Sequence, residues 1–162
     1  MTPASPKATT SLPFLYRFTL TTFEPLSAIG GAAMVLRDPN NYISNYLTRG
    51  AVTYAPETQA LYTQLAGAWL MFAFIEAVVL RSFDDLRLWR LLCVAMLPSD
   101  VAFAYSAAQA VGGWAAYFDV GSWTREDWGT FLSTLLPLVV RLLVVSGVGV
   151  SKGKGRGKRK RA

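Results

Sequence analysis

The chain has 162 residues, enough for one domain, and 52% of them are hydrophobic against 16% charged, a richer apolar balance than a typical soluble domain carries. With no His and one Cys, His-box di-iron centres, His-ligated zinc sites and internal disulfides are excluded. The formal charge of +6 is a property of the C-terminal end, because seven of the sixteen Lys and Arg fall between Lys152 and Arg161.

Residues 1–11 read as a disordered N-terminus. They carry one charge, Lys7, and no short apolar core followed by a small-residue cleavage site, so no secretory signal is expected. A hydrocarbon core of about 30 Å needs around 20 helical residues. Four runs reach that length, at about 12–36, 58–80, 89–111 and 128–150. The expected fold is therefore all-α: a four-helix transmembrane bundle over 12–150, with kinked helices, followed by a disordered basic tail over 151–162. Buried soluble helices are the competing reading, but four such runs would leave little chain to coat a water-soluble exterior.

Trp114, Tyr117, Phe118, Trp123 and Trp128 gather around the third connection as interfacial aromatics do, and Trp89 marks the opposite interface. Arg81, Arg87 and Arg90 lie in the second connection, and the tail is more basic still, while the other two connections hold only Arg37, Arg49 and Arg125. The excess of basic residues places both termini and the second connection in the cytosol. Helix contacts are expected along small residues such as Gly31, Ala66 and Ser106.

Each run holds an ionisable group: Glu24, Glu76, Asp100 and Arg141. Facing lipid, the four would cost on the order of 10 kcal/mol, so they should face one another or water. Pro25, Pro98 and Pro137 stand beside Glu24, Asp100 and Arg141, and each frees a carbonyl one turn back, those of Thr21, Val94 and Ser133. Asp100, Glu24 and Glu76 are the candidate catalytic acids, with Arg141 their charge partner. A cluster that only fixes helix register explains the same four residues. Trp69, Phe72 and Ala73 share a helix face with Glu76 and could wall its carboxylate, but Arg81, five residues on, is the favoured partner for it. Arg17 and Glu24, seven apart, also share a face, and Cys93 reads as packing. No cofactor or metal site is expected.

The tail has three readings: attraction to anionic lipid, an endoplasmic-reticulum retrieval signal resembling the dilysine pattern at Lys158 and Lys160, and a nucleic-acid patch. The last is discounted because no aromatic residues are interleaved for stacking.

Phe23 to Ala32 (FEPLSAIGGA), Glu76 to Arg81 followed by Asp85-Leu86-Arg87 and Trp89, Asp100, and Trp123 with Asp127-Trp128-Gly129 together resemble a fungal family of small four-span integral membrane proteins built on a domain of unknown function. The resemblance spans most of 12–150 and carries no activity with it. It implies a setting in secondary metabolism, with a terpenoid or polyketide substrate.

Two functional classes stay open. One is an acid/base isomerase or cyclase, or a hydrolase, for a lipophilic small molecule. The other is a non-catalytic module that binds membrane lipids or assembles with a membrane partner or with itself. A transporter is a third, weaker reading, since no inverted repeat is visible.

Overall fold

In the computed structural model of the protein, which describes residues 5–151, every regular element is helical, and no strand occurs among the described residues. A short helix α1 (Ala8–Ser11) precedes α2 (Phe14–Phe18), a π segment (Thr19–Phe23) and α3 (Glu24–Arg37), the last three running on without a break. The next connection holds α4 (Pro39–Asn41), a second π segment (Tyr42–Leu47) and a 3-10 turn (Pro56–Thr58). Then come α5 (Gln59–Phe74), a third π segment (Ile75–Val79) and α6 (Leu80–Ser82), followed by α7 (Leu86–Ala110), α8 (Trp114–Tyr117), a 3-10 turn (Val120–Ser122) and α9 (Arg125–Ser146).

Three continuous helical stretches are long and apolar enough to cross a membrane: Pro56–Ser82, Leu86–Ala110 and Arg125–Ser146, of 27, 25 and 22 residues. The run expected at 12–36 is helical over Phe14 to Arg37, but Arg17, Thr19, Thr21, Thr22 and Glu24 make it the most polar of the four. Capping chemistry sets the ends a few residues from the expected ones. Asp85 accepts from the Arg87 and Leu88 N–H groups at 2.7 and 3.2 Å and so starts α7. Thr124 and Asp127 cap each other reciprocally at the start of α9, and Gly147, at φ 79°, ends it before residue 150. α7 and α9 continue through Pro98 and Pro137, and the departures from α geometry near Glu24 and Glu76 are instead π segments.

The expected disorder of 1–11 is corrected for residues 5–11. Ser5 donates to Asp85 at 2.6 Å, and the Thr9 N–H and hydroxyl both donate to Asp84 at 2.8 Å. The Leu86 N–H donates to the Pro6 carbonyl at 2.9 Å, and Ala8 is fully buried. Ser151 donates to the Ser11 carbonyl at 2.8 Å, and the remainder of the expected disordered tail, from Lys152, lies outside the described residues.

α3 packs chiefly on α5, and α7 on α9. At the end near Leu86 the bundle is filled by Leu12, Leu20, Leu80, Leu86, Trp89, Cys93, Val140 and Val144, all buried. Toward the other end packing is confined to two smaller clusters, around Ala32, Val35, Tyr42 and Ala66 and around Ala107, Ala108 and Tyr117. Leu61, Phe74, Leu91, Val101 and Leu142 point outward, whereas Arg141 and Glu76 are among the largest fully buried side chains. Apolar outside and charged inside is the reverse of a water-soluble bundle and suits helices whose outer solvent is hydrocarbon.

Candidate functional site

Four helices that each bring one charge inward must satisfy those charges among themselves, and here they do. Glu24 is the first residue of α3, Glu76 lies in the π segment Ile75–Val79, Asp100 is midway along α7 and Arg141 lies in the second half of α9. Arg141 donates through Nη2 to Glu24 Oε1 at 2.5 Å and to Glu76 Oε1 at 2.6 Å, and through Nη1 to Asp100 Oδ2. A single guanidinium thus gathers all four sequence-predicted residues. Arg141 and Glu76 are wholly enclosed, while the side chains of Glu24 and Asp100 keep 9% and 11% of their surface. Glu24 Oε2, Glu76 Oε2 and Arg141 Nε have no donor or acceptor of their own among the described residues.

The π turns explain how the acids reach Arg141. Each inserts one residue beyond the α register and so re-aims the side chains that follow, and the two π segments next to the cluster pack on each other. The residue-25 proline leaves the Thr21 carbonyl free, as expected, and Arg81 occupies it, donating from Nη2 at 2.6 Å to that carbonyl and at 2.9 Å to the Thr22 hydroxyl.

On one side the cluster opens onto a cavity of about 570 Å³. Glu24 and Asp100 line it, and so do Trp69, Phe72, Phe103 and Tyr42. Trp69 stands at the centre of an aromatic run, its ring 5.7 Å from Tyr42 and 6.1 Å from Phe103. Gly31 admits the indole: a Cβ there would sit 3.0 Å from the Trp69 ring. Because α9 contributes Gly129, Thr130, Ser133 and Thr134 from its first turns, the cavity occupies the half of the bundle away from Leu86, with the charges as its floor.

The expectations for Glu76 are corrected. Glu76 does not line the cavity, although Trp69 and Phe72 from its helix do, and its partner is Arg141 rather than Arg81. Arg17 has no ion pair among the described residues, because the π segment Thr19–Phe23 intervenes between it and Glu24. Cys93, 2% exposed, belongs to the packed core. Sequence reasoning missed Tyr42 and Tyr46, which reach the cavity from the first connection, and the Arg49–Asp127 pair at 2.9 Å that ties this connection to α9. The Thr124-x-x-Asp127 capping pattern was the one local signal for that junction.

Among the described residues no three His, Cys, Asp or Glu side chains are arranged to hold a metal ion, and within the cluster the guanidinium takes the place a cation would fill. No curated protein and no solved structure matches the chain. The family model for DUF7704, a domain of unknown function, matches residues 9–151, and the chain therefore belongs to that family.

Proposed function

We propose that the protein is an endoplasmic-reticulum membrane enzyme of four spans, bent at Pro25, Pro98 and Pro137, with both termini cytosolic, and that it isomerises or cyclises a lipophilic small molecule of fungal secondary metabolism by acid/base chemistry. The observation that carries this reading is the opening of two Arg141-bound carboxyls, Glu24 and Asp100, onto an aromatic-walled cavity of about 570 Å³, within the ordinary range for a small-molecule site. In this scheme the O–H of Asp100 gives its proton to an olefin or epoxide. The cation so formed faces Trp69, Phe72 and Phe103, and a proton lost from a neighbouring carbon passes to Glu24. One proton enters and one leaves, so the reaction needs no cofactor. Glu76, away from the cavity, balances charge and positions Arg141.

The alternative is a non-catalytic module that binds membrane lipid or assembles with a membrane partner or a second copy. It draws support from the sharing of one guanidinium among all three acids, the pattern of a structural bolt. The two part in the host. Asp100→Asn and Glu24→Gln keep side-chain shape and remove a proton carrier, so the pathway product should vanish while protein abundance holds. Product retained in both variants at normal abundance leaves the module.

A further inference from the structure

The polar chemistry of the cavity wall is one-sided. Among the described residues its charged groups are Glu24 and Asp100, and the hydroxyls of Ser27, Ser106, Thr130, Ser133 and Thr134 are spent on backbone carbonyls, which leaves those of Ser99, Tyr42 and Tyr46 as donors. Ser27 donates to Phe23 at 3.0 Å, Ser106 to Phe103 at 2.8 Å, Ser133 to Thr130 at 3.1 Å and Thr130 to Tyr46 at 3.2 Å. Those oxygens offer lone pairs to a guest and few donors. Charge is unbalanced in the same sense. Three carboxyls meet one guanidinium, and even with one of the three protonated the cluster holds one negative charge in excess. Asp100 and Glu24, each bonded to Arg141 through one oxygen and keeping some surface, line the cavity and are where that charge meets a guest. Trp69, Phe72 and Phe103 line the same cavity, aromatic rings of the kind whose faces attract cations.

We infer that the cavity selects a lipophilic amine: an ammonium head seated at Asp100 and Glu24, with an apolar body along the aromatic wall. An ammonium brings the missing positive charge and the missing N–H donors together, where an alcohol brings one donor and no charge, and a carboxylic acid adds to the excess. This rests on reading the cavity as a ligand site and deepens the proposed function, since an ammonium also stands in for the carbocation of that scheme.

The test is binding to the full chain purified in mild detergent, with chain-matched tetradecylamine, tetradecanol and tetradecanoic acid as probes. A charge-assisted contact predicts that the amine binds roughly tenfold or more tighter than the alcohol, with the acid weakest. Asp100→Asn should collapse the amine-to-alcohol ratio toward about one. If that variant does not fold, Glu24→Gln is read in the same way. Gly30 lines the cavity and has open space around its Cβ position, so Gly30→Phe should occupy part of the cavity and weaken binding of every probe. Alcohol or acid binding as tightly as the amine overturns the inference, as does amine affinity unchanged in Gly30→Phe, or no binding at all. Loss of the host product in Asp100→Asn would leave the proposed chemistry standing in each of those cases. Retained product beside intact amine selectivity would remove the chemistry and keep the binding site.

Discussion

Arg141→Met keeps an unbranched apolar stem in a fully enclosed position and removes the one cation that three carboxyls share. At about 1.5–3 kcal/mol for each charge-assisted hydrogen bond, the three lost bonds sum to roughly 5–9 kcal/mol before relaxation. Asp100 and Glu24 adjoin the cavity, where water can reach them, and a broken buried pair settles at about 3–5 kcal/mol. Glu76 has no such relief, being wholly enclosed and outside the cavity. Adding Glu76→Gln to Arg141→Met should therefore restore about 1–3 kcal/mol, whereas adding Asp100→Asn should restore less. The measurement is thermal unfolding of the monodisperse full chain in detergent, followed by circular dichroism, for the single and double variants. Wild-type melting in Arg141→Met, or energies that simply add in the double variant with Glu76→Gln, would refute the shared-guanidinium argument.

Gly31→Val drives a branched side chain into the Trp69 ring, 3.0 Å from the new Cβ, and should destabilise by about 1–3 kcal/mol, while Gly30→Ala, in open space on the same helix, should be neutral or stabilise by up to about 1 kcal/mol in the same melts. Asp84 is held below its ordinary 3.8 by the Thr9 N–H and hydroxyl, and Asp85 below the same value by the Ser5 hydroxyl and the N–H groups at the start of α7. A lowered folded-state value means stability that is present above 3.8 and lost as pH falls through the depressed values, so proteolysis near residues 5–12 should accelerate only below about pH 3.8. In sealed microsomes an impermeant maleimide should label Phe83→Cys but leave Val120→Cys unlabelled until detergent is added, with buried Cys93 silent in both; the reverse order would invert the proposed orientation. Lys158→Ser with Lys160→Ser should send a tagged chain beyond the endoplasmic reticulum, and unchanged localisation would remove the retrieval reading.

The meeting of the four charges was legible because lipid penalises each one strongly, so that their mutual satisfaction follows without knowing any contact. Which acid faces the cavity was not. In a regular helix Arg81, five positions beyond Glu76, lies well around the cylinder, and the π turn Ile75–Val79 alters the rotation again; a single wide turn leaves no periodic signature in the sequence. The docking of residues 5–11 escaped for a different reason. Its acceptors are Asp84 and Asp85, 75 to 80 positions away, and a polar stretch with distant partners has the composition of disorder. Tyr42 and Tyr46 were hidden because a connection between spans was read for its charge alone, whereas this one folds back against α5 and α9.

The bundle is packed at one end and hollow at the other, and energetics make the hollow end informative. At about 570 Å³ the hollow is far larger than a single water molecule and is partly open to its surroundings, so it does not stand empty. Water suits the floor, where Asp100 and Glu24 supply partners, but along Met34, Leu65, Phe72 and Phe103 it would find too few polar groups to hold it. An acyl chain suits that wall and leaves the floor unsatisfied. On the proposed function, the occupant that meets both demands is amphiphilic, with its polar end at Asp100, an orientation that would bring its reactive or charged group to the two carboxyls lining the cavity.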